Sequence, residues 1–255
     1  MSARTKKMQR YSKKSVTYIA SLVVIVFFLI FLTVPSKTKT RTKNNESLIQ
    51  DLMKTGSIKK QGFDVDLKWV QCSGAARAND QHNEILLLHG AKFTKEHWKD
   101  SGIMKSLCMD HNLFVTAIDL SVSSDGNQLN DAFVALSDAG VLSGNAVVLV
   151  SPSASGKAAV NLAKNKVFLT KIVRAWIPIA CPIILSQKVD VDIETYASLP
   201  IPVLAINGET DNMGATVTKK IVDKIPNSKG IELKGGHSCY FDSPDSFTKA
   251  VIEFM

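Results

Sequence analysis

The arrangement of apolar and polar residues divides the chain into a short N-terminal part and a long C-terminal part. Seventeen uncharged, mostly apolar residues extend from Tyr18 to Val34, and a polar, basic stretch rich in Thr and Lys follows them. Further on, short apolar runs alternate with longer stretches of mixed character. The pattern predicts a basic cytosolic tail at 1–17, a transmembrane signal anchor at 18–34, a linker at 35–58 and a folded domain at 59–255.

The apolar run would span about 25 Å as a helix, near the short end of what a bilayer core requires. A cleaved signal peptide is one alternative, but the run is long and the segment Thr33–Lys37 lacks a small-x-small cleavage site. A buried core helix is another, but core helices are usually amphipathic and this run is apolar on all sides. An uncleaved membrane anchor agrees best with these features.

Basic residues flank the anchor, six before it and four closely after it. The positive-inside rule therefore favours, by a small margin, a single-pass type II protein of the secretory pathway with a lumenal domain. A cytosol-facing domain is the alternative. Asn45-Glu46-Ser47 is a glycosylation sequon that a lumenal domain would expose, although Asn45 lies only eleven residues beyond Val34.

The region from residue 59 onward alternates between two kinds of segment. Apolar, β-branched runs that predict strands lie at Phe63–Val70, Ile85–Leu88, Leu113–Ile118, Ala146–Val150, Ile172–Ile179, Pro202–Ile206 and Gly230–Leu233. Helices are predicted at Lys95–Leu107, Leu129–Ala139, Gly156–Lys164, Thr216–Ile225 and Pro244–Met255. Such alternation is typical of a mostly parallel sheet with helices on both faces, so we predict one α/β domain.

The net charge of +8 suggests nucleic acid binding only at first sight. Residues 1–45 hold ten of the 31 basic residues and no acidic residue, which leaves the other 210 residues with a net charge of −2. The folded domain therefore has no net positive field to attract phosphates, and nucleic acid is a poor candidate partner.

The four cysteines, Cys72, Cys108, Cys181 and Cys239, are widely spaced and form no Cys-x-x-Cys motif. Zinc-ribbon and thioredoxin-like sites are therefore not indicated. Two disulfides with three connectivities, or buried free thiols, both remain open.

A nucleophile elbow is predicted where the strand at Ala146–Val150 runs into Ser151-Pro152-Ser153-Ala154-Ser155-Gly156 and a helix follows. The elbow normally reads G-x-S-x-G, because the strained turn leaves room only for small residues two positions from the nucleophile. Ser153 has a serine at both of these positions. With Ser155 as nucleophile, Lys157 would occupy one of them, so Ser153 is the better candidate.

Two other interpretations apply to this serine-rich turn. Its serines could simply cap the following helix. Ser155-Gly156-Lys157 also resembles the end of a phosphate-binding loop, but Ser151 replaces that motif's first glycine and Ala158 replaces its magnesium-binding hydroxyl.

A serine nucleophile requires a histidine base and an orienting acid, which this kind of fold supplies in the order Ser, acid, His. Of the five histidines only His237 follows Ser153, and it stands after two glycines at the end of a predicted strand. Glu209 and Asp211 both follow the strand at Pro202–Ile206. We choose Asp211, because the turn at Gly208 lets a side chain a few residues on project toward the site, and keep Glu209 as second candidate.

The oxyanion of the transition state needs preorganised N–H donors. His89-Gly90-Ala91 follows the strand at Ile85–Leu88. The loop after that strand and the residue after the nucleophile supply the donors in this fold, which nominates the backbone amides of Ala91 and Ala154 and leaves His89 a structural role.

Several segments together resemble the α/β-hydrolase domain-containing protein fourteen family over roughly residues 60 to 255. They are Leu86–Gly90 with Phe93 and Trp98, Ala117–Leu120, Ser151–Gly156, Tyr196–Ser198 and Gly236–Tyr240. The resemblance, closest to the membrane-anchored A-type, implies an α/β-hydrolase fold, a triad at Ser153, Asp211 and His237, and an acyl hydrolase for small esters or acylated amines without metal or organic cofactor.

Two features bear on substrate choice. After Asp119-Leu120 the family usually has Pro-Gly-x-Gly, whereas this chain has Ser121-Val122-Ser123-Ser124. The segment between Cys181 and Leu199 is also short, which predicts a minimal lid or none and an open pocket.

The sequence as a whole thus predicts a membrane-tethered serine hydrolase that acts on a small acyl substrate. The alternative is a catalytically weak, membrane-tethered protein that uses the same fold for binding or scaffolding. No feature of the sequence indicates a particular protein partner.

Overall fold

The computed structural model describes residues 52–59, 66–73 and 84–255, which lie in one compact unit. In these residues eight strands form one sheet: β1 Met53–Ile58, β2 Leu67–Ser73, β3 Glu84–Leu87, β4 Phe114–Asp119, β5 Val147–Pro152, β6 Val173–Ile179, β7 Val203–Gly208 and β8 Ser228–Leu233. Their order is β1-β2-β4-β3-β5-β6-β7-β8. β2 pairs antiparallel with β1 and β4, and the other neighbours are parallel. The predicted mostly parallel sheet is confirmed.

Helices cover both faces of this sheet. They are α1 Lys95–Asp100, α2 Ile103–Lys105, α3 Gly126–Asp138, α4 Gly156–Leu162, α5 Lys166–Ile172, α6 Asp190–Ala197, α7 Asn212–Lys224, α8 Cys239–Asp242 and α9 Pro244–Phe254. Helices α3 to α7 pack with one apolar core that includes Phe133 and Trp176. Helices α1, α2, α8 and α9 pack with a second core that includes Trp98 and Phe247. The parallel strands therefore end in loops on one edge, between two helical layers.

The structure differs from the sequence-based boundaries at the start of the domain. Strand β1 lies within the stretch 35–58 that was predicted to be linker, so the folded domain begins at least six residues earlier than the predicted boundary at residue 59. The reason is that β1, with the sequence MKTGSI, is a largely exposed edge strand without a clear apolar alternation. Its Gly56 fits against the ring of Trp69 on β2, where a Cβ would lie 2.6 Å from the nearest ring atom.

The predicted transmembrane segment at Tyr18–Val34 and the sequon at Asn45 lie outside the described residues. Among residues 52–59, 66–73 and 84–255, no helix has the length and apolar character needed to cross a membrane.

The cysteines fall into two classes that the sequence left open. Cys72 in β2 and Cys108 in the π-helical turn Ser106–Asp110 form a disulfide, whereas Cys181 and Cys239 are buried free thiols. Burial raises the pKa of Cys181 and of Cys239 to about 12, so both thiols are neutral near pH 7 and poor nucleophiles.

Candidate active site

Ser153 lies in the turn between β5 and α4 and has a backbone φ of 52°. A positive φ is unfavourable for a residue with a side chain and persists only where its surroundings enforce it. Ser151 and Ser155, on either side, are 0% and 5% exposed, so both positions require small residues. Gly156 makes the turn tighter, because a Cβ there would lie 2.5 Å from Cys181 Sγ.

The three serines of the elbow use their hydroxyls differently. Ser155 Oγ donates to the carbonyl oxygen of Pro152 at 2.9 Å, and Ser151 Oγ accepts from Trp176 Nε1 at 2.8 Å. Both hydroxyls are buried and engaged in fixing the turn. Ser153 Oγ instead lies 2.8 Å from His237 Nε2. The structure therefore pairs the histidine with the serine that the steric comparison favoured.

His237 lies in the loop between β8 and α8, which the neighbouring chain holds in place. Gly235 has a φ of 114° and accepts a hydrogen bond through its carbonyl from Thr210 N at 3.1 Å. Gly236 N donates to Asp242 Oδ2 at 2.9 Å. The first bond ties the histidine loop to the loop after β7, which carries the acidic candidates, and the second ties it to α8.

Asp211 follows β7 and caps α7, where its Oδ1 accepts from Gly214 N at 2.9 Å. Its Oδ2 lies 2.7 Å from His237 Nδ1. The carboxylate side chain is only 9% exposed, against 44% for the imidazole. Glu209, the second candidate acid, is exposed, and Asp211 is the acidic residue that contacts His237.

Sequence reasoning missed the contribution of Gly214 to this contact. A Cβ at Gly214 would lie 2.5 Å from Asp211 Oδ2, so the helix can approach the carboxylate this closely only with glycine there. In the sequence Gly214 stands two residues before the helix predicted at Thr216–Ile225, and its significance depends on a tertiary contact that the sequence does not reveal.

The two proposed oxyanion donors lie in the loops on either side of the nucleophile. Gly90 is buried directly beside the elbow, and a Cβ on it would lie 3.7 Å from Ser153 Cβ. Within the described residues, the N–H groups of Ala91 and Ala154 donate no hydrogen bond. Both amides are thus available to a ligand held at Ser153.

The loop after β3 is fixed by a polar cluster centred on Asp119. Asp119 accepts a hydrogen bond from Lys95 N at 2.7 Å, forms an ion pair with Lys95 Nζ at 3.2 Å and lies 3.8 Å from His89 Nε2. Burial by itself lowers the pKa of Lys95, but its hydrogen bond to Glu96 and the nearby Asp119 carboxylate together raise it above the ordinary value. His89 therefore belongs to the support of this loop, in keeping with the structural role predicted for it.

The loop after β4, where the chain departs from the family pattern, is also anchored to the elbow side of the molecule. Lys157 Nζ, in the first turn of α4, donates to Ser123 O at 2.7 Å. The hydroxyls of Ser121 and Ser123 are hydrogen-bonded at 2.8 Å, and Ser124 is buried. In this chain, side-chain contacts thus stabilise the loop that contains glycines in the family pattern.

The site combines a hydroxyl, an imidazole and a carboxylate in one continuous chain of hydrogen bonds, with two free amides beside the hydroxyl. This arrangement can move a proton from Ser153 to His237 and can stabilise the imidazolium that results. No group of three or more His, Cys, Asp or Glu side chains in the described part of the chain is placed to hold a metal ion.

Comparison with known proteins identifies relatives of one family. Protein ABHD14A from Danio rerio is 30% identical over 184 residues, which are 68% of this chain and 64% of that protein. The putative protein-lysine deacylase ABHD14B from Rattus norvegicus is 28% identical over 67% of this chain and 82% of its own length. The chain thus spans slightly less than two thirds of the fish protein. No protein-family model matches the chain.

Solved structures agree on the fold. A probable hydrolytic enzyme from Pseudomonas aeruginosa PAO1 has a TM-score of 0.61 at 15% identity, covering 80% of this chain and 94% of its own. A carboxylesterase from Bacillus subtilis has a TM-score of 0.59 at 14% identity, with 83% and 94% covered. With the eight-stranded sheet these likenesses show the α/β-hydrolase fold. By its sequence relatives, this chain belongs to the α/β-hydrolase domain-containing protein fourteen family.

Proposed function

We propose that this chain is a serine hydrolase that cleaves small acyl esters or acylated amines through an acyl-enzyme at Ser153. The observation that carries the proposal is the hydrogen-bonded series from Asp211 Oδ2 through His237 to Ser153 Oγ, with contacts of 2.7 and 2.8 Å. Ser153 also lies at a strained strand-to-helix turn, which is where this fold presents its nucleophile. A relative named as a deacylase and a structural neighbour named as a carboxylesterase support the same class of reaction.

In the first step, Ser153 Oγ attacks the acyl carbon while its proton passes to His237 Nε2. Asp211 keeps Nδ1–H hydrogen-bonded and stabilises the imidazolium without taking its proton. The amides of Ala91 and Ala154 donate to the developing oxyanion. The proton then moves from Nε2 to the leaving alcohol or amine, and the carbon–heteroatom bond breaks.

In the second step, water releases the acyl group. His237 takes a proton from the attacking water, the oxyanion forms again at the same amides, and the proton returns to Ser153 as its ester bond breaks. One histidine thus serves as base and acid in both halves of the reaction.

The proposed acyl groups are small, because little of the chain is available near the site to enclose a large acyl group. The side chain of His237 is 44% exposed. Between Cys181 and Leu199 the chain forms only the short turns Pro182–Leu185 and Gln187–Val189 and helix α6. The relative from Rattus norvegicus is named a putative protein-lysine deacylase, which makes an acylated lysine side chain one substrate to test.

Labelling with a fluorophosphonate tests the proposal without knowledge of the substrate. We expect Ser153→Ala to abolish labelling, because the attacking oxygen is removed. Ser155→Ala is the matched control, since Ser155 is two residues away and its hydroxyl is engaged with Pro152 O. Failure of the folded wild-type protein to label would contradict the hydrolase assignment and favour a binding role, whereas labelling of Ser153→Ala would show that another residue is the nucleophile.

A further inference from the structure

A second hydroxyl group lies next to the proposed active site and has no role in the triad. Tyr240 is in α8, three residues after His237, and is 2% exposed. Its ring packs against Trp98, with ring centroids 4.9 Å apart, and lies 6.1 Å from Phe247. The ring is therefore held rigidly in the core beneath the loop that carries the base.

A buried tyrosine hydroxyl usually has a hydrogen-bond partner. Tyr240 Oη makes no hydrogen bond with any described residue. It is also absent from the group of fully enclosed, unpaired side-chain atoms, which belong to Arg174, Asp192, Thr218 and Thr248. Among the described residues Tyr240 Oη thus has no protein partner, and the packed ring presents this donor beside Gly90.

Tyr240 Oη lies close to the nucleophile and to the oxyanion loop. A Cβ on Gly90 would lie 3.8 Å from Tyr240 Oη and 3.7 Å from Ser153 Cβ. Gly90 directly precedes Ala91, whose amide is one of the two free donors described above. The tyrosine hydroxyl, the serine and the loop amide thus converge around a glycine without a side chain, where a substrate carbonyl can enter.

We infer that the Tyr240 hydroxyl donates a third hydrogen bond to the carbonyl oxygen of the acyl substrate, beside the amides of Ala91 and Ala154. The inference rests on the proposed hydrolase function and makes Tyr240 a further catalytic residue of that site. The proton stays on the phenol throughout, and the bond strengthens as negative charge develops on the substrate oxygen.

The surroundings of Tyr240 keep it in the form that can donate. Burial raises the pKa of Tyr240 above its ordinary value, and Cys239, Cys181 and Asp242 act in the same direction. A neutral phenol in a mostly apolar setting is a well-oriented donor that needs no rearrangement during the reaction. Phenylalanine at this position would keep the packing and remove only the donor.

The test compares Tyr240→Phe with Tyr196→Phe, using hydrolysis of a p-nitrophenyl ester. Tyr196 is a matched control, because it is equally buried but donates to Ala159 O within the other core at 2.9 Å. We expect Tyr240→Phe to lower kcat about 10- to 100-fold with little change in KM, since two donors remain. We expect Tyr196→Phe to keep kcat and to lower Tm by about 2–4 °C or more, because it leaves a buried carbonyl unpaired.

The extent of fluorophosphonate labelling, carried to completion, separates this inference from the proposed function. Full labelling of Tyr240→Phe with reduced kcat and an unchanged Tm supports the donor role. An unchanged kcat, or a loss of kcat matched by a loss of Tm as in an ordinary packing defect, overturns it while the hydrolase proposal stands. Absence of labelling and turnover in the wild-type protein instead defeats the proposed function.

A second pair of variants decides the matter if Tyr240→Phe does not fold. p-Aminophenylalanine at position 240 retains an N–H donor, whereas p-methylphenylalanine fills the same space without one. The donor role predicts at least tenfold higher kcat for the amino variant. Equal kcat values for the two variants overturn the inference.

Discussion

Asp211 has two separate duties, because one oxygen caps α7 and the other holds His237. Asparagine at this position can still cap the helix, since asparagine is as good an N-cap as aspartate. It cannot stabilise the imidazolium. We therefore expect Asp211→Asn to fold with a nearly unchanged Tm and to lose turnover by about 10⁴, as related triads do.

The control for this prediction is Glu209→Gln in the same loop. Glu209 is exposed, and its backbone N–H is satisfied by Leu233 O at 2.8 Å, so removing its charge should change turnover by less than about twofold. Initial rates of ester hydrolysis and thermal melts of both variants provide the comparison. A larger loss of turnover in Glu209→Gln than in Asp211→Asn would identify Glu209 as the orienting acid.

For single residues, the sequence allowed the choice of Ser153, Asp211 and His237, because chain order and local sterics restrict those positions. His237 was the sole histidine after the elbow, and the small neighbours at 151 and 155 favoured Ser153. Gly214 and Tyr240 could not be assigned roles in advance. Gly214 matters because Asp211 approaches it, and Tyr240 matters because it lies beside Gly90 in the loop after β3. Both contacts form only in the folded chain.

Among the elements, the connection between β2 and the π-helical turn at Ser106–Asp110 is covalent. The disulfide from Cys72 to Cys108 joins positions 36 residues apart. A link over a loop of this length stabilises the folded state by roughly 2–4 kcal/mol, largely by restricting the unfolded chain. We expect reduction of the wild-type protein to lower its free energy of unfolding by about that amount, as measured by urea denaturation.

The double variant Cys72→Ser/Cys108→Ser is the control, since a reductant should leave its stability unchanged. A thiol-reactive maleimide applied to the unreduced, unfolded wild-type protein should modify two cysteines, Cys181 and Cys239. Modification of four cysteines would show that this disulfide does not form. Spacing alone could not predict the pairing, because it does not place β2 next to the turn after α2.

The predicted strands from Ile85 onward start and end within about two residues of those in the structure, because buried parallel strands are continuous apolar runs. The misses are elements without such a pattern. β1 is polar and lies at an edge, and the short helices α5, α6 and α8 were not predicted. The helix predicted at Lys95–Leu107 is divided into α1, α2 and the start of a π-helical turn, with Gly102 at a φ of 79° between the first two.

For the whole molecule, the disulfide supports the proposed lumenal orientation of the hydrolase domain. Disulfides persist in oxidising compartments and are rare in the cytosol. The predicted anchor and Asn45 lie outside the described residues, so the orientation stays a proposal. It agrees with the excess of two basic residues before the apolar segment over those that follow it closely.

Protease treatment of sealed microsomes tests this orientation. We expect the domain to be protected until detergent is added, because the membrane would separate it from the protease. A glycosidase-sensitive mass shift lost in Asn45→Gln would support the same result. Complete digestion of the domain without detergent would place the active site in the cytosol.

The central claim is that Ser153 is the nucleophile of a working triad, and the most direct measurement is to locate the covalent adduct. The wild-type protein is treated with a fluorophosphonate, digested and examined by tandem mass spectrometry. We predict one phosphonyl group per molecule, on Ser153, and strongly reduced modification in Asp211→Asn. An adduct on Ser155 or on a residue outside the elbow, or no adduct on the folded protein, would contradict the account.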